Sequence, residues 1–288
     1  MKFIQTISLL LTISLIAFFA SCENNDDIIP ENEDPSQETD ISFLSYNTMQ
    51  IKETISNDTP SPVTLTQMYN YEDGKLVDCV STQTYTAIEN FEINHYISLL
   101  YSPKQVSIHH DDNQTSIYTL NDKGYATKCV IKDANNNARH YTFKYHISDK
   151  GKHYLSEVQE TMDNETPYSS IKLAYDKYPY IQVTQTIEDS EQTYECLLNE
   201  EVSNANIFKI PSLFLSEMYP ISQHDIAYHG EILGEHFDYL MSRAYVKDST
   251  EGITYTYKTD STSMSMSCEA ITCYMGKLFA RSISYNAY

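Results

Sequence analysis

Alternating apolar and polar residues make up most of the chain beyond residue 40. Between 141 and 147 every second residue is large and apolar, namely Tyr141, Phe143, Tyr145 and Ile147. Side chains alternate between the two faces of a β-strand, so this pattern predicts strands with one buried face. Similar short runs predict further strands at 171–175, 180–186, 193–198, 253–258, 264–274 and 278–285.

A hairpin pattern repeats through the first half of this region. An aromatic strand, a turn that carries Asp or Asn and then Gly, and a second apolar strand occur at 69–79, at 118–129 and, more loosely, at 145–155. Asp and Asn side chains cap tight turns, and Gly adopts positive φ without a steric cost. The close spacing of these elements predicts a single all-β domain over 41–288, built as a many-stranded antiparallel meander.

The alternation fails between residues 210 and 240. Two prolines and two glycines interrupt this segment, at Pro211, Pro220, Gly230 and Gly234. Such residues disfavour long regular elements. We therefore predict a short irregular insertion near 210–240 that contains one or two helical turns.

The N-terminus has the outline of a signal peptide. A basic residue precedes an apolar stretch at 7–20, which is shorter than the roughly 20 residues that a transmembrane helix needs. The stretch ends in small residues before Cys22, which resembles the bacterial lipobox, with Phe19 where leucine is usual. The resemblance implies cleavage between Ser21 and Cys22, removal of residues 1–21, and attachment of diacylglyceryl and palmitate groups to the cysteine. An ordinary secretory signal that ends in a chance cysteine is the alternative.

Residues 22–40 carry eight acidic residues, two prolines and no basic residue. This composition predicts a disordered spacer, because it has too little apolar surface to fold and its charges repel one another. Acidic residues directly after a lipidated cysteine resemble the export signal of surface lipoproteins in some gut Gram-negative bacteria. The resemblance implies a lipid anchor in the outer membrane with the domain facing the cell exterior. Anchoring in the periplasmic leaflet is the alternative.

The net charge argues against a nucleic-acid partner, and the spacing of the cysteines argues against a zinc site. The formal net charge of −21 repels phosphate backbones, so we expect no nucleic-acid partner. Five cysteines follow Cys22, and none has the Cys/His spacing of a zinc site. Buried free thiols are the default hypothesis. A disulfide between Cys268 and Cys273, which are close enough to bridge across a turn, is the alternative.

The aromatic-x-x-x-Asp-x-Gly hairpins, the lipobox with its acidic spacer and the irregular stretch before the last strands occur together. This combination resembles a family of bacterial lipoproteins of unknown function described as having a porin-like fold. The resemblance covers most of 41–288 and implies a strongly curved or barrel-like antiparallel sheet. It brings no known activity and no catalytic residues. The predicted outward faces carry Lys, Asp, Thr and Gln, whereas a membrane-spanning barrel needs an apolar band.

Four residues of the irregular insertion are weak candidates for a zinc or iron site, namely His224, His229, Glu231 and His236. Three imidazoles and a carboxylate form a chemically sensible ligand set. Their spacing, however, matches no H-E-x-x-H motif that would place the ligands on one helical face. The glycine patterns of serine hydrolases and of phosphate-binding or dinucleotide-binding loops do not occur. We therefore predict no catalytic residues, no metal and no cofactor.

These observations lead to three hypotheses about function. The first is a non-enzymatic cell-surface lipoprotein that is held to the membrane by its lipid and binds an extracellular ligand, such as a glycan, a peptide or an envelope component. The second is a structural or adhesion protein of the cell envelope. The third is an enzyme that acts on polysaccharide or peptide, which two buried carboxylates in a cleft would favour. The sequence leaves the ligand, the oligomeric state, the closure of the barrel, the cysteine pairing and the leaflet open.

Overall fold

A computed structural model describes residues 47–55, 63–85, 91–162, 166–204, 208–260 and 262–288. The predicted signal peptide, the lipidation site at Cys22 and the acidic spacer lie outside these residues. The described chain contains sixteen strands and three short helical segments. The strands are β1 (Thr48–Ile55), β2 (Val63–Glu72), β3 (Lys75–Tyr85), β4 (Phe91–Ser102), β5 (Gln105–His110), β6 (Thr115–Leu120), β7 (Ala126–Lys132), β8 (Ala138–Ile147), β9 (His153–Thr161), β10 (Pro167–Lys177), β11 (Tyr180–Ile187), β12 (Ser190–Ser203), β13 (Tyr239–Val246), β14 (Gly252–Asp260), β15 (Ser265–Tyr274) and β16 (Lys277–Ala287).

Each strand pairs antiparallel with its neighbours in the chain, and β1 pairs with β16 to close the sheet into a barrel. The prediction of a barrel-like antiparallel meander is therefore confirmed.

The turn chemistry explains the hairpins: Asp73 and Gly74, between β2 and β3, both have positive φ, at 49° and 73°. Met275 and Gly276 repeat this pattern between β15 and β16. Such two-residue turns match the right-handed twist of the strands that they join.

The two faces of the barrel wall differ sharply in polarity. Buried apolar side chains point into the lumen, such as Ile51, Cys129, Phe143 and Ile171. The neighbouring residues point outward and are exposed, and several are charged, namely Lys52, Lys128, Lys144, Lys172 and Glu195. This distribution is the reverse of the one that a lipid-facing barrel shows. No helix in the described ranges is long and apolar enough to cross a membrane.

The lumen is occupied by the segment that links β12 to β13. We call residues 208–238 the plug. It contains α1 (Leu213–Glu217), a 3-10 helix (Ile221–His224) and α2 (Asp225–His229). Its apolar side chains are buried, including those of Phe208, Ile210, Leu215, Ile221 and Leu233. The predicted irregular, partly helical insertion is thus confirmed, and the structure adds that it folds into the barrel.

The two ends of the barrel are distinguishable. The terminal end holds both chain ends of the described domain, where the backbone N–H of Asn47 donates to the carbonyl of Tyr288 at 2.9 Å. The plug enters from this end, because β12 finishes there and β13 starts there. The opposite end, which we call the far end, carries the turns between β5 and β6 and between β7 and β8. The plug reaches toward the far end and returns.

One prediction about local structure needs correction, and the default hypothesis of free cysteine thiols is confirmed. The buried face of β8 does not extend to its last residue, because the side chain of Ile147 is 60% exposed at the end of the strand. A register shift nearby places one extra residue, Ser156, in β9. The cysteines at 268 and 273 do not form a disulfide, and all five described cysteines are free. Cys268 points into the lumen and Cys273 points outward, since residues five apart lie on opposite faces of a strand. Burial raises the pKa of the Cys268 thiol to about 12, which makes it a poor nucleophile.

Candidate functional site

One side of the lumen is tightly packed around a buried carboxylate. Glu160 on β9 is fully buried and accepts hydrogen bonds from Arg139 Nη1 at 3.0 Å, Tyr141 OH at 3.2 Å and Ser169 Oγ at 2.7 Å. Tyr219 of the plug also donates its hydroxyl hydrogen to Glu160, and it accepts from Arg139 Nη1 at 2.8 Å. We call these five residues the latch. Both carboxylate oxygens are satisfied, so the latch joins the plug to the wall.

The other side of the lumen is less tightly packed toward the far end. Here the wall is formed by β16 and β1–β4. Its side chains toward the far end lie on the same inward face as the buried residues of these strands, yet they are only partly buried. We call the space that they line the chamber. Its wall residues lie in adjacent rows across the paired strands: Glu53, Leu65, Gln83 and Ile93 in one row, and Gln67 and Ser81 in the next. The chamber wall therefore mixes amide, hydroxyl, carboxylate and apolar groups.

The floor of the chamber joins charged residues of the plug to charged residues of the wall. Arg281 Nη1 on β16 lies 3.2 Å from Glu53 Oε1 on β1, and its Nη2 lies 2.5 Å from Glu217 Oε1 at the end of α1. Asp225 begins α2 beside them. Although Glu217 and Asp225 belong to a plug inside the barrel, their side chains are 48% and 31% exposed. These carboxylates thus face a space that water can enter.

Burial changes the acidity of both plug carboxylates. Burial, followed by the nearby charge of Glu217, raises the pKa of Asp225 to about 7. Burial also raises the pKa of Glu217, although Arg281 acts against this effect. Because desolvation disfavours the charged form of a carboxyl group, Asp225 holds its proton to near-neutral pH. Two carboxyl groups with shifted pKa values therefore share the chamber floor.

Three buried tyrosine hydroxyls around this floor have no hydrogen-bond partner in the described structure, namely those of Tyr69, Tyr255 and Tyr285. Burial, followed by the charge of Asp225, raises the pKa of Tyr69. Burial, followed by the charge of Glu217, does the same for Tyr255. These hydroxyls thus lie within electrostatic range of the carboxylates. Buried polar groups in proteins are almost always hydrogen-bonded, so these three unpartnered hydroxyls are unusual and single out this part of the lumen.

The structure separates the four residues that the sequence suggested as metal ligands. His224 lies in the packed core, where its Nδ1 is 2.9 Å from Tyr118 OH and its ring meets Tyr141 edge-on at 4.3 Å. His229 stacks on Tyr69 at 4.3 Å, and its Nε2 is 3.7 Å from Asp225 Oδ1. Burial lowers the pKa of His224 and of His229 to about 3, so both are neutral at pH 7.

His236 and Glu231 lie instead at the terminal end. The two ring nitrogens of His236 face the carbonyl oxygens of Lys209 at 2.5 Å and Tyr228 at 2.8 Å, and Glu231 Oε1 is 3.7 Å from its Nδ1. These contacts hold two stretches of the plug together. In the described part of the chain, no three His, Cys, Asp or Glu side chains converge as a metal site would require.

A second cleft, of about 240 Å³, lies at the terminal end beside these residues. Its polar groups fasten the plug to the hairpin of β8 and β9. Glu235 Oε1 accepts from the backbone N–H of His153 at 3.0 Å and from Tyr125 OH at 3.2 Å. Lys152 Nζ forms an ion pair with Asp238. These groups are engaged in plug attachments, so the chamber is the better candidate site.

Sequence reasoning missed the charged residues of the chamber and of the latch. A signal was present, because these residues interrupt apolar alternation. Glu53 is in step with the buried Met49 and Ile51, and Arg281 is in step with the buried Ile283 and Tyr285. A charge at an inward position of a strand is costly unless it is paired or solvated. Glu217 and Asp225 could not be recognised in this way, because the plug has no alternating pattern that a charged residue could interrupt.

Comparison with known proteins supports the fold. The sequence profile of a family described as "Domain of unknown function (DUF4595) with porin-like fold" matches residues 68–267. The crystal structure of a porin-like protein from Bacteroides uniformis is 33% identical, with a TM-score of 0.77, and the match covers 84% of this chain and 96% of that chain. A porin-like protein from Bacteroides vulgatus is 13% identical, with a TM-score of 0.49, over 82% of this chain and 96% of that chain. Among curated proteins none matches. The resemblance drawn from the hairpins is confirmed.

Proposed function

Because the chain belongs to the family of domains of unknown function with a porin-like fold, we propose that it is a plugged barrel that binds a small extracellular ligand in the chamber. Lipid on Cys22 holds it to the outer membrane, and the barrel faces the cell exterior. The protein acts by binding and not by catalysis. The observation that carries the proposal is that the plug seals one side of the lumen and leaves the inward side chains of the other side partly exposed.

The composition of the chamber supports a binding role. Ligand sites in proteins combine apolar surface with a few convergent polar groups. Here Leu65 and Ile93 supply apolar surface, Gln67 and Gln83 supply amides, and Asp225 supplies a carboxylate at the floor. The chamber lies toward the far end, whereas Asn47, the first described residue after the spacer, lies at the terminal end.

The outer surface supports a barrel that stands outside the bilayer. A porin-like barrel fold is compatible with an outer-membrane location. Exposed lysines and glutamates on the outward faces, such as Lys144 and Glu195, are costly in contact with lipid. A lipid on Cys22 and an extended acidic spacer would attach such a barrel to the membrane without inserting it.

The closed barrel argues against one way in which a structural or adhesion protein could bind other chains, namely strand pairing at a free sheet edge. Free sheet edges are the surfaces through which strands of different chains pair. The pairing of β1 with β16 leaves no free edge among the described strands. Adhesion would therefore depend on the loops.

A thermal-shift screen of the mature chain against glycans, peptides and small amines tests the proposal. A ligand at about 100 times its Kd stabilises a fold by about 2.7 kcal/mol, which is a shift of several degrees. We expect the Ser81→Phe variant, which fills the chamber, to abolish the shift. Ser267 points outward on β15 and is exposed, so Ser267→Phe is the matched control and should keep it. An unaltered shift in Ser81→Phe, or no shift with any ligand class, would refute binding in the chamber.

A second candidate function is favoured by one observation, the two carboxyl groups with raised pKa values on the chamber floor. Glycoside hydrolases use one protonated carboxyl group as acid and one ionised carboxylate as base or nucleophile, and here Asp225 would be the acid and Glu217, paired with Arg281, the ionised partner. Under this hypothesis the protein would hydrolyse a soluble polysaccharide, and both Glu217→Gln and Asp225→Asn would abolish turnover. Ligand binding without turnover by the native chain would exclude it.

A further inference from the structure

We propose that the chamber selects an organic cation, a ligand with an ammonium group for the floor and an apolar body for the wall. This inference rests on the proposed binding function and names the ligand class of that site. At the floor the guanidinium of Arg281 pairs with the carboxylates of Glu53 and Glu217, and a third carboxylate, that of Asp225 at the start of α2, lies within range of the charge of Glu217. When all are ionised, the floor carries an excess of negative charge.

The single guanidinium does not offset this charge. Arg281 is shared between Glu53 and Glu217, at 3.2 and 2.5 Å. The ion-pair neighbour of Asp225 is His229, at 3.7 Å, but burial lowers the pKa of this histidine to about 3. His229 is therefore neutral near pH 7 and supplies no positive charge. A bound cation would provide the missing countercharge, whereas an anion would be repelled.

The unpartnered hydroxyls supply a second, independent reason. The hydroxyls of Tyr69, Tyr255 and Tyr285 are buried and have no partner in the described structure, and each tyrosine has one floor carboxylate among its charged neighbours, namely Asp225, Glu217 and Glu53 in turn. Tyr69 also stacks on His229 at 4.3 Å, and His229 Nε2 lies 3.7 Å from Asp225 Oδ1. An ammonium group has three hydrogen-bond donors and no acceptor, and tyrosine oxygens can accept from it. Tyrosine rings also attract cations through their faces. Carboxylates together with tyrosines thus match an ammonium group better than a neutral hydroxyl.

The wall beside the floor determines the chemistry of the part of the ligand that is not the ammonium group. Leu65 and Ile93 lie in the same row of the sheet as Glu53, and Gln83 lies between them. These side chains are partly exposed and lie beside the floor. A compact apolar body next to the ammonium group would cover the leucine and isoleucine side chains.

The test compares three probes of equal shape and different charge on the full mature chain at physiological salt. The probes are 2-phenylethylamine, 2-phenylethanol and phenylacetate, titrated by calorimetry. We expect the amine to bind at least ten times more tightly than the alcohol and phenylacetate not to bind. Asp225→Asn and Glu217→Gln should each weaken amine binding at least tenfold and leave the affinity for the alcohol unchanged. Glu269 is exposed on the outer face of β15, so Glu269→Gln is the control for non-specific charge attraction.

The possible failures are separable. If amine and alcohol bind equally, or if the amine does not bind, the cation inference is wrong. If, in that case, a glycan or peptide still stabilises the native chain and loses its effect in Ser81→Phe, the proposed binding function stands. If no ligand of any charge depends on the chamber, both fail. Two floor variants are used because one of them could disturb the plug, and a cooperative melt of each variant shows that it has folded.

Discussion

The two sides of the lumen use buried charge in opposite ways. In the latch, both oxygens of Glu160 are hydrogen-bonded to neighbours on β8, β10 and the plug. On the chamber floor, Glu217 and Asp225 keep considerable exposure, and three nearby tyrosine hydroxyls have no partner in the described structure. Both sides bury an arginine and carboxylates within the same barrel.

The difference separates a structural network from a candidate site. A buried network contributes to a unique packing when each member is satisfied, and it is costly when members are left unpaired. Proteins retain costly, under-satisfied groups mainly where they have a function. The comparison therefore predicts that substitutions in the latch reduce stability, whereas substitutions at the chamber floor change stability little and change binding.

The largest effect is expected from Glu160→Ala in the latch. It leaves the charge of Arg139 and three hydroxyl groups without their acceptor, so we expect the free energy of unfolding to fall by about 3–5 kcal/mol. The same change at Glu217, whose side chain is 48% exposed, should cost about 1 kcal/mol or less. Urea unfolding at pH 7 measures both. Equal losses at the two positions would remove the distinction between latch and chamber.

The next largest effect is a loss of folding stability at acidic pH. Burial holds the pKa of His224 at about 3, below the usual value of about 6.5. As the pH falls below 6.5, the unfolded chain binds a proton that the folded chain does not, so stability decreases until the pH reaches the folded pKa. Between pH 6.5 and 4 this amounts to about 3 kcal/mol. We expect His224→Gln to remove that part of the pH dependence. His109→Gln, at an exposed position, is the control and should leave the slope unchanged.

A matched pair of tyrosines tests the hydrogen bonds directly. Tyr141 and Tyr285 are both buried in the lumen, but only the first donates to a carboxylate, at 3.2 Å to Glu160. Tyr141→Phe should therefore cost about 2 kcal/mol, since a hydrogen bond to a charged group is lost. Tyr285→Phe removes a hydroxyl without a partner and should change the free energy of unfolding by about 0.5 kcal/mol or less. A large loss in Tyr285→Phe would mean that its hydroxyl is bonded to ordered water that contributes to stability.

The smallest effect has the opposite sign. The raised pKa of Asp225, about 7, means that the folded chain holds a proton that the unfolded chain releases above its pKa of about 4. Stability therefore decreases as the pH rises from 4 to 7, and the penalty remains above pH 7. Because the side chain is 31% exposed, screening limits the penalty to about 1–2 kcal/mol. We expect Asp225→Asn to stabilise the chain by this amount at pH 8 and not at pH 4. Thermal melts at the two pH values measure the difference.

Much of the barrel could be predicted from local patterns. Alternation gave strands such as 180–186 and 278–285, which the structure extends to Tyr180–Ile187 and Lys277–Ala287. The Asp-Gly turn at 73–74 and the broken pattern near 210–240 were recognisable as well. Each of these features depends on residues that are close in the sequence. The failure at Ile147 has a different origin, because this residue ends β8 and the alternating pattern does not show how far the packed interior reaches along a strand.

The candidate site was beyond such reasoning. The four candidate metal ligands are close in the sequence and therefore look like one cluster, namely His224, His229, Glu231 and His236. In the folded plug, His224 and His229 lie at different places in the lumen, and Glu231 and His236 lie at the terminal end. The chamber floor, in contrast, joins residues from β1, β16 and the plug. Glu53 and Arg281 meet only because the first and last strands pair.

The sequence by itself determined the strands, the turns and the position of an insertion that could be neither strand nor long helix, because these features follow from the alternation of side chains and from local backbone preferences. The tertiary structure decided that the sheet closes, that the insertion fills one side of the lumen, and that one carboxylate is satisfied while others face open space. These outcomes depend on contacts between residues that are far apart in the sequence, such as Glu53 and Arg281, which are separated by 228 positions. Whether a buried charge is paired or left facing a chamber depends on which distant groups the fold brings to it.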